Sequence, residues 1–120
     1  MALYLIAFND EWTPDLTLEE LRVRGKNGRA VIDEMTERGV FVFSDGGLDA
    51  STAICSVDPS SGTPVFTDGP FVETKEFLGG LTVVDVADED AARVWAGKIA
   101  EACGWPQEVR RFKPQPSTTD

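Results

Sequence analysis

Short apolar runs that predict strands alternate with two longer amphipathic stretches along the chain. The run LYLIAF at 3–8 is almost continuously apolar, which is typical of a central strand buried on both faces. Similar runs predict strands at 40–43 and 81–86. The remaining predicted strands lie at 51–57, 63–67 and 108–113, and the last of these is the most polar.

The first helix is predicted from capping residues at both of its ends and from residues that recur on one helical face. Thr17 and Glu20 have the spacing of a capping box, and Gly39 is a left-handed C-cap after a helix that ends near Arg38. The residues of the predicted face are Leu21, Gly25, Gly28, Ile32 and Met35. Two glycines on this face cost roughly 2 kcal/mol in helix propensity relative to alanine. We favour close packing of the helix on the sheet as the explanation, with room for a ligand as the alternative.

A second helix is predicted from residue 89 to about Cys103. Asp88 is its N-cap, and Gly104 followed by Pro106 ends it. The residues predicted to face the same way are Ala92, Trp95, Ile99 and Cys103.

The order of these elements predicts an α+β fold of the ferredoxin-like split βαβ type. A β-α-β unit, a hairpin insert and a second β-α-β unit place two helices on one face of a mainly antiparallel sheet. The 120 residues are enough for one domain with one core, which we assign to 1–113. The polar segment 114–120 has no apolar anchor and is predicted to be a disordered tail.

The second face of this sheet is also predicted to be buried, because several strands are apolar throughout. A chain of this length has no further element to cover that face. A second copy packed sheet against sheet is the simplest cover, so the sequence predicts a homodimer, with a tetramer as a larger alternative.

The composition excludes several classes of function. The net charge is −10, from 21 acidic and 11 basic residues, which disfavours nucleic acid and an anionic membrane surface as partners. The same charge would suit a basic protein partner. The chain has no histidine, so His-based general base catalysis, His-ligated metals and Ser-His-Asp or Cys-His arrangements are impossible.

The cysteines and the N-terminus indicate a cytoplasmic protein. Cys55 and Cys103 lie in apolar contexts and are predicted to be small buried residues in a reducing compartment, with a disulfide or a nucleophile as the alternative. The opening MALYLIAF lacks the basic region and cleavage site of a signal peptide. No apolar run approaches the roughly 20 residues needed to span a bilayer.

The stretch 65–85, VFTDGPFVETKEFLGGLTVVD, contains the candidate chemistry. Asp68 precedes Gly69-Pro70, and its carboxylate either closes an Asx-type turn or stands at a pocket mouth as a base or ligand anchor. In an extended chain Glu73 and Lys75 point the same way, so they either bind a polar substrate group or form an ordinary ion pair.

The other candidate features of the sequence concern aromatic and metal-binding residues. Tyr4 and Trp12 are candidates for lining a ligand cleft, with a place in or over the core as the alternative. Gly79-Gly80 predicts a bulge or a close backbone approach and lacks nucleotide-binding spacing. We predict no cofactor and no metal site, because the spacing of the acidic residues matches no known cation loop. These residues are Asp45, Asp49, Asp68 and Glu73.

The ordered set TDGPF at 67–71, ETKE at 73–76 and LGG at 78–80 resembles the YCII-related family, in its DGPF-motif subgroup. The resemblance extends over most of the chain, including the opening strand, the end of the first helix at Arg38-Gly39-Val40 and the start of the second at Val86-Ala87-Asp88. It implies a dimeric α+β barrel, and the family includes members attached or adjacent to extracytoplasmic-function sigma factors. Some members have a His–Asp pair proposed as catalytic, which a chain without histidine cannot contain. Gly25 and Gly28 stand where bulkier residues are usual.

Three functions follow as hypotheses. The first is a small-molecule-binding homodimer whose cleft takes polar groups from Asp68, Glu73 and Lys75. The second is a cofactor-free lyase or isomerase with a carboxylate base, for which Asp68 and Glu73 are the candidates. The third is an accessory module for a sigma-factor-type partner. We favour the first.

Overall fold

Six strands, two α-helices and one short 3-10 helix make up the part of the chain that the structure describes. The computed structural model describes residues 1–48, 54–70 and 78–114. The strands are β1 (Ala2–Asn9), β2 (Phe41–Asp45), β3 (Cys55–Asp58), β4 (Val65–Asp68), β5 (Leu78–Val86) and β6 (Glu108–Arg111). The helices are α1 (Leu18–Glu37) and α2 (Glu89–Cys103), and the 3-10 helix is Asp10–Trp12.

Four strands form one antiparallel sheet in the order β2-β5-β1-β6. This is the strand order of the split βαβ arrangement, with a hairpin inserted between β2 and β5. The hairpin strands β3 and β4 form a separate two-stranded sheet. Both helices contribute side chains to a core on the four-stranded sheet. The predicted α+β fold is therefore confirmed, as is the central position of β1.

The glycine pair at the start of β5 produces a bulge against β1. Phe8 lies opposite Gly80 and Asn9 lies opposite Leu78, so Gly79 has no partner in the register. An added Cβ on Gly79 or on Gly80 would lie 2.7 Å from the ring of Phe8. The predicted bulge and close backbone approach are both confirmed.

The two faces of the sheet differ in how well one chain covers them. Tyr4, Ile6 and Phe8 of β1 are buried beneath the helices, whereas Leu3 is 44% exposed and Leu5 is only half-buried. Both helices lie on the same side, so the predicted burial of β1 on two faces is found on one face within a single chain. We call the uncovered side the open face.

The core lies between the helix-covered face and the two helices. Its fully buried side chains are Ile6, Met35, Val84 and Val86, and α2 adds Ala92, Trp95, Ala96 and Ile99. Whereas α2 buries four residues, α1 buries one, Met35. Leu21, predicted to face the sheet, is 47% exposed. The middle of α1, from Arg24 to Ile32, lies over a cavity, and Leu21 does not line that cavity.

The predicted helix ends are confirmed. Thr17 Oγ1 accepts from the Glu20 N–H at 3.2 Å, and the Thr17 N–H donates to Glu20 Oε1 at 3.2 Å, which lowers the pKa of the Glu20 carboxyl. Asp88 caps α2, while Gly39 and Gly104 follow the two helices with φ of 71° and 87°. Neither helix in the described part of the chain combines the length and apolar character needed to cross a membrane.

The inserted hairpin exposes one of the two cysteines. Cys55 lies on β3 opposite Asp68 of β4, in the two-stranded sheet apart from the core, and it is exposed. The prediction that Cys55 is buried is therefore wrong. Cys103 at the end of α2 is half-buried, and both thiols are free.

Candidate functional site

A cavity of about 500 Å³ lies between the middle of α1, the end of α2 and the helix-covered face of the sheet. This volume is within the range of small-molecule sites. The sheet contributes Phe8, Phe41 and Thr82, α1 contributes Gly25, Gly28 and Ile32, and the chain after α2 contributes Trp105 and Gln107. We call this space the α1 cavity.

The two glycines of α1 leave the space open. Among the described residues, no atom lies within 4 Å of an added Cβ on Gly25, and on Gly28 the nearest atom is Cys103 Sγ at 3.6 Å. Close packing of helix on sheet, the explanation favoured from the sequence, is therefore wrong. The alternative fits the geometry, since the glycines stand over a volume that larger side chains would reduce.

The inner end of the α1 cavity is built around Trp105. Its ring meets Phe8 edge to face, with centroids 5.5 Å apart, and the Arg24 guanidinium carbon lies 6.0 Å from the Trp105 centroid. Arg24 Nη1 also donates to the Cys103 carbonyl at 3.1 Å. Arg24 can pass over Gly104 because that residue has no side chain: an added Cβ would collide with the guanidinium.

Two buried donors at this end lack hydrogen-bond partners within the described residues. They are Trp105 Nε1 and Gln107 Nε2, and both residues line the α1 cavity. A buried donor without a partner costs about 1–3 kcal/mol, so native structures contain few of them. Both nitrogen atoms are fully buried, so neither is open to the space of the cavity itself.

The polar groups on the opposite wall are already bonded within the protein. Ser44 Oγ lies 2.8 Å from Thr82 Oγ1 and donates to the Leu81 carbonyl at 3.3 Å. Asp45 at the mouth accepts from the Gly47 N–H at 3.0 Å, which closes a local turn. These groups therefore have partners within the protein and need none from a ligand.

Cys103 contributes a thiol to the same cavity. Burial raises the pKa of this thiol, and the nearby Arg24 guanidinium opposes the rise in part. A raised pKa keeps the thiol neutral and unreactive near neutral pH. Cys103 therefore serves as a small apolar wall residue, as predicted for a structural cysteine.

A second, smaller cleft of about 300 Å³ lies on the open face of the sheet. Trp12 covers one side of it, and Leu5, Ala7 and Leu78 form its apolar floor. Arg110 and Glu108 form an ion pair at its edge. The cleft faces away from the α1 cavity because neighbouring residues of β1 point to opposite sides of the sheet.

The described site residues predicted from the sequence lie in three different places. Tyr4 is 4% exposed and belongs to the core, Trp12 lies at the cleft on the open face, and Asp68 lies on the hairpin strand β4. Glu73 and Lys75 lie outside the described residues. The structure therefore does not bring Tyr4, Trp12 and Asp68 together in one pocket.

The residues that line the α1 cavity include several that we did not predict as site residues. Arg24, Trp105 and Gln107 were missed, because none belongs to a recognisable motif. The pair of glycines on the face of α1 was the available signal. Within residues 1–48, 54–70 and 78–114, no three His, Cys, Asp or Glu side chains are grouped so that they could hold a metal ion.

The fold and the cavity define a small α+β protein in which a ferredoxin-like sheet and two helices enclose a ligand-sized space. In the comparison with protein-family models, the YCII-related domain matches residues 4–109. Because the match covers most of the 120 residues, the chain belongs to the YCII-related family. None of the curated proteins compared with the chain matches it.

Proposed function

We propose that this protein is a small-molecule-binding homodimer that holds its ligand in the α1 cavity. The observation that carries the proposal is a ligand-sized cavity between α1 and the sheet, with a mainly apolar lining and the Arg24 side chain in its wall. The two α1 glycines support it, because they lower helix propensity and make no close contact in return. The finer assignment to the DGPF-motif subgroup rests on TDGPF at 67–71 and the residues that follow it.

The open face of the sheet supports the homodimer. Leu3, Phe43 and Phe112 are each more than two-fifths exposed, and Leu5 and Val83 between them are half-buried. Contiguous apolar surface on a sheet is typical of an interface. A second copy packed sheet against sheet would cover it and form the dimeric α+β barrel, and a tetramer would need a further surface.

Filling the cavity tests the ligand-binding role. A leucine in Gly28→Leu would occupy the space below α1, whereas Gly97→Leu places the same side chain on an exposed part of α2 with no atom within 4 Å of its Cβ. Melting temperatures are measured with and without pools of cellular metabolites. A ligand at a hundredfold excess over its Kd stabilises by about 2.7 kcal/mol, which raises Tm by several degrees.

We expect a pool that raises Tm for the wild-type protein and for Gly97→Leu but not for Gly28→Leu. If no pool raises Tm of the wild-type protein, the ligand-binding function is wrong. An equal rise in Gly28→Leu would place the ligand outside the α1 cavity.

Introducing a charge on the open face by substitution tests whether the protein forms the proposed dimer. Leu5→Lys would place a cation at the centre of this face, and Val94→Lys makes a similar change on the exposed surface of α2. Analytical ultracentrifugation should find a dimer for the wild-type protein and for Val94→Lys, and a monomer for Leu5→Lys. A wild-type monomer of 13.1 kDa at micromolar concentration would contradict the proposed dimer.

The lyase or isomerase hypothesis and the sigma-factor hypothesis stay predictions. The carboxylate in the wall of the α1 cavity, Asp45, is exposed and bonded to its own turn, so no observation there favours a carboxylate base. The acidic net charge of −10 suits a basic protein partner but points to no particular surface.

A further inference from the structure

The inserted hairpin stands apart from the core of its own chain. Among the described residues, its strands β3 and β4 pair only with each other, in a sheet separate from the four-stranded one. Their extensive contacts are likewise with each other. A two-stranded hairpin alone in water is marginally stable at best, so a further surface is needed to hold this one in its shape.

One face of the hairpin is apolar and exposed. Val57 lies directly opposite Phe66 in the register, so the two side chains point to the same face, and Cys55 lies on that face two residues before Val57. Phe66 is 69% exposed, and the other two are exposed as well. We call these three residues the hairpin patch. On the other face Ser56 is buried and its hydroxyl donates to the Gly69 carbonyl at 2.6 Å, so part of that face already has contacts inside the chain.

The hairpin does not cover the open face of its own sheet. The smallest dimension of the molecule is 18 Å across its Cα atoms. One layer of helices on one sheet fills such a thickness, and a third layer would add about 10 Å more. The hairpin therefore lies beside these two layers, and both the open face and the hairpin patch are left exposed within one chain.

The hairpin is acidic. Residues 54–70 contain two carboxylates, Asp58 and Asp68, and no basic residue. Asp68 lies opposite Cys55 in the register, so it shares the face of the hairpin patch. The surface that covers this patch is therefore expected to be apolar with basic groups at its border.

The open face of the sheet has such a border along its edge strand β6. The sequence at 110–113 is RRFK, which places three cations beside Phe112 in a chain of net charge −10. Glu108 pairs with Arg110, while Arg111 and Lys113 form no ion pair with a carboxylate of the described residues. The acidic hairpin and the basic border of the open face are thus complementary in charge, and both carry exposed apolar side chains.

We propose that the hairpin is a dimer arm: in the homodimer, the hairpin patch of each subunit packs against the open face of the other subunit at its β6 border. This inference rests on the proposed homodimer and adds a second contact to the facing sheets. Two-fold symmetry makes the contact twice, so each hairpin gains the surface that a lone hairpin lacks. The apolar contact supplies affinity, and the charges determine which border the arm meets.

A substitution in the hairpin patch tests the arm through the dissociation constant of the dimer. Phe66→Ser removes the largest apolar side chain of the patch, and Val94→Ser makes a comparable change on the exposed surface of α2. Both side chains are exposed, so neither change leaves a cavity in the core. Sedimentation equilibrium should give a dissociation constant raised about tenfold or more by Phe66→Ser and unchanged by Val94→Ser.

A photo-crosslinker on Cys55 identifies what the hairpin patch touches. Cys103 is replaced by alanine, which leaves Cys55 as the one thiol of the chain, and a benzophenone maleimide is attached to it. This protein is mixed with heavy-isotope-labelled protein that lacks both cysteines. Mass spectrometry should find Cys55 linked to heavy peptides from β1 or β6. The control is a single thiol at Thr67→Cys, on the opposite face of the hairpin, which should give far fewer such links.

The outcomes separate the arm from the homodimer itself. If the wild-type protein is a monomer, the proposed homodimer is wrong and the arm with it. If the wild-type protein is a dimer that Leu5→Lys separates, but Phe66→Ser keeps the wild-type dissociation constant, the arm is wrong and the dimer stands. Links from Cys55 that stay within its own chain, or that reach only helix peptides of the partner, would also overturn the arm.

Discussion

The glycine pair of β5 and the glycine pair of α1 differ in what surrounds the missing side chain. At Gly79 and Gly80 an added Cβ would lie 2.7 Å from the Phe8 ring, and backbone atoms of Asp10 and Gly46 lie 2.9 Å away. At the α1 pair there is open space or ordinary contact. One pair therefore lets the chain pack closely, and the other leaves a volume empty.

This difference shows that a glycine in a sequence pattern has no single structural meaning. In a strand that faces a buried aromatic ring, glycine is required by sterics. On a helix it lowers helix propensity, so its presence without a close neighbour suggests a use for the space. Phe8 belongs to both regions. Its ring packs against the β5 pair, and it lines the α1 cavity together with the α1 pair.

The largest effect is expected at the β5 pair. In Gly80→Ala the new methyl group would overlap the Phe8 ring and approach the backbone of Gly46, and Phe8 is buried against Trp105 so it cannot move away freely. Overpacking of this kind costs roughly 1–3 kcal/mol or more. Urea unfolding should show the loss, and Phe8→Leu in the Gly80→Ala background should recover part of it. Equal stability of Gly80→Ala and wild type would contradict the close approach.

The next largest loss of stability is expected for alanine at Gly104, and Gly39 is the matched control. Both have positive φ after a helix, so alanine is strained at either position by about 1 kcal/mol. At Gly39 nothing lies within 4 Å of the new Cβ, whereas at Gly104 the Cβ would collide with the Arg24 guanidinium. Gly104→Ala should therefore lose more stability than Gly39→Ala in urea unfolding. The difference should shrink in an Arg24→Ala background, and a constant difference would show that Arg24 is not its cause.

The sequence was sufficient for the fold because that fold depends on local signals. The capping box at Thr17, the cap at Asp88, the stop at Gly104 and the apolar strands each act within a few residues, and all were confirmed. The Gly79-Gly80 bulge could be predicted for the same reason.

The candidate site could not be predicted in the same way. Its walls come from α1, from the sheet and from the chain after α2, so Arg24 and Trp105 meet only through tertiary packing. Their separation in sequence hides the contact. Nor does a glycine pattern say whether the neighbouring space is filled, which is why close packing was favoured for α1.

Alanine at the α1 glycines should give a smaller effect of opposite sign. Gly25→Ala and Gly28→Ala add a methyl group where no atom is closer than 3.6 Å, so each should gain up to about 1 kcal/mol from helix propensity. Gly97→Ala on α2 is the control, since its Cβ also meets nothing within 4 Å. Thermal and urea unfolding should give similar gains for all three. A loss at Gly28 with a gain at Gly97 would mean that the space beneath α1 is closed.

The smallest effect concerns the ion pair between the last turns of α1 and α2. Lys98 Nζ of α2 donates to Glu34 Oε1 at 2.6 Å, and this hydrogen bond lowers the pKa of the Glu34 carboxyl below its ordinary value of 4.5. A carboxyl whose pKa is lower in the folded state stabilises that state above the ordinary pKa, and the contribution disappears as pH falls through the folded value. Glu34→Gln should therefore be slightly less stable than wild type near neutral pH.

The difference between Glu34→Gln and wild type should vanish in acid and shrink in high salt, because both side chains are more than a third exposed. Glu37→Gln, on the same helix, is the control. If the pair anchors only the last turns of α1, Glu34→Gln should leave ligand affinity in the α1 cavity unchanged while Gly28→Leu abolishes it. A loss of affinity in Glu34→Gln would mean that the last turns of α1 also hold its middle in place, so that the open space beneath the glycines depends on the ion pair.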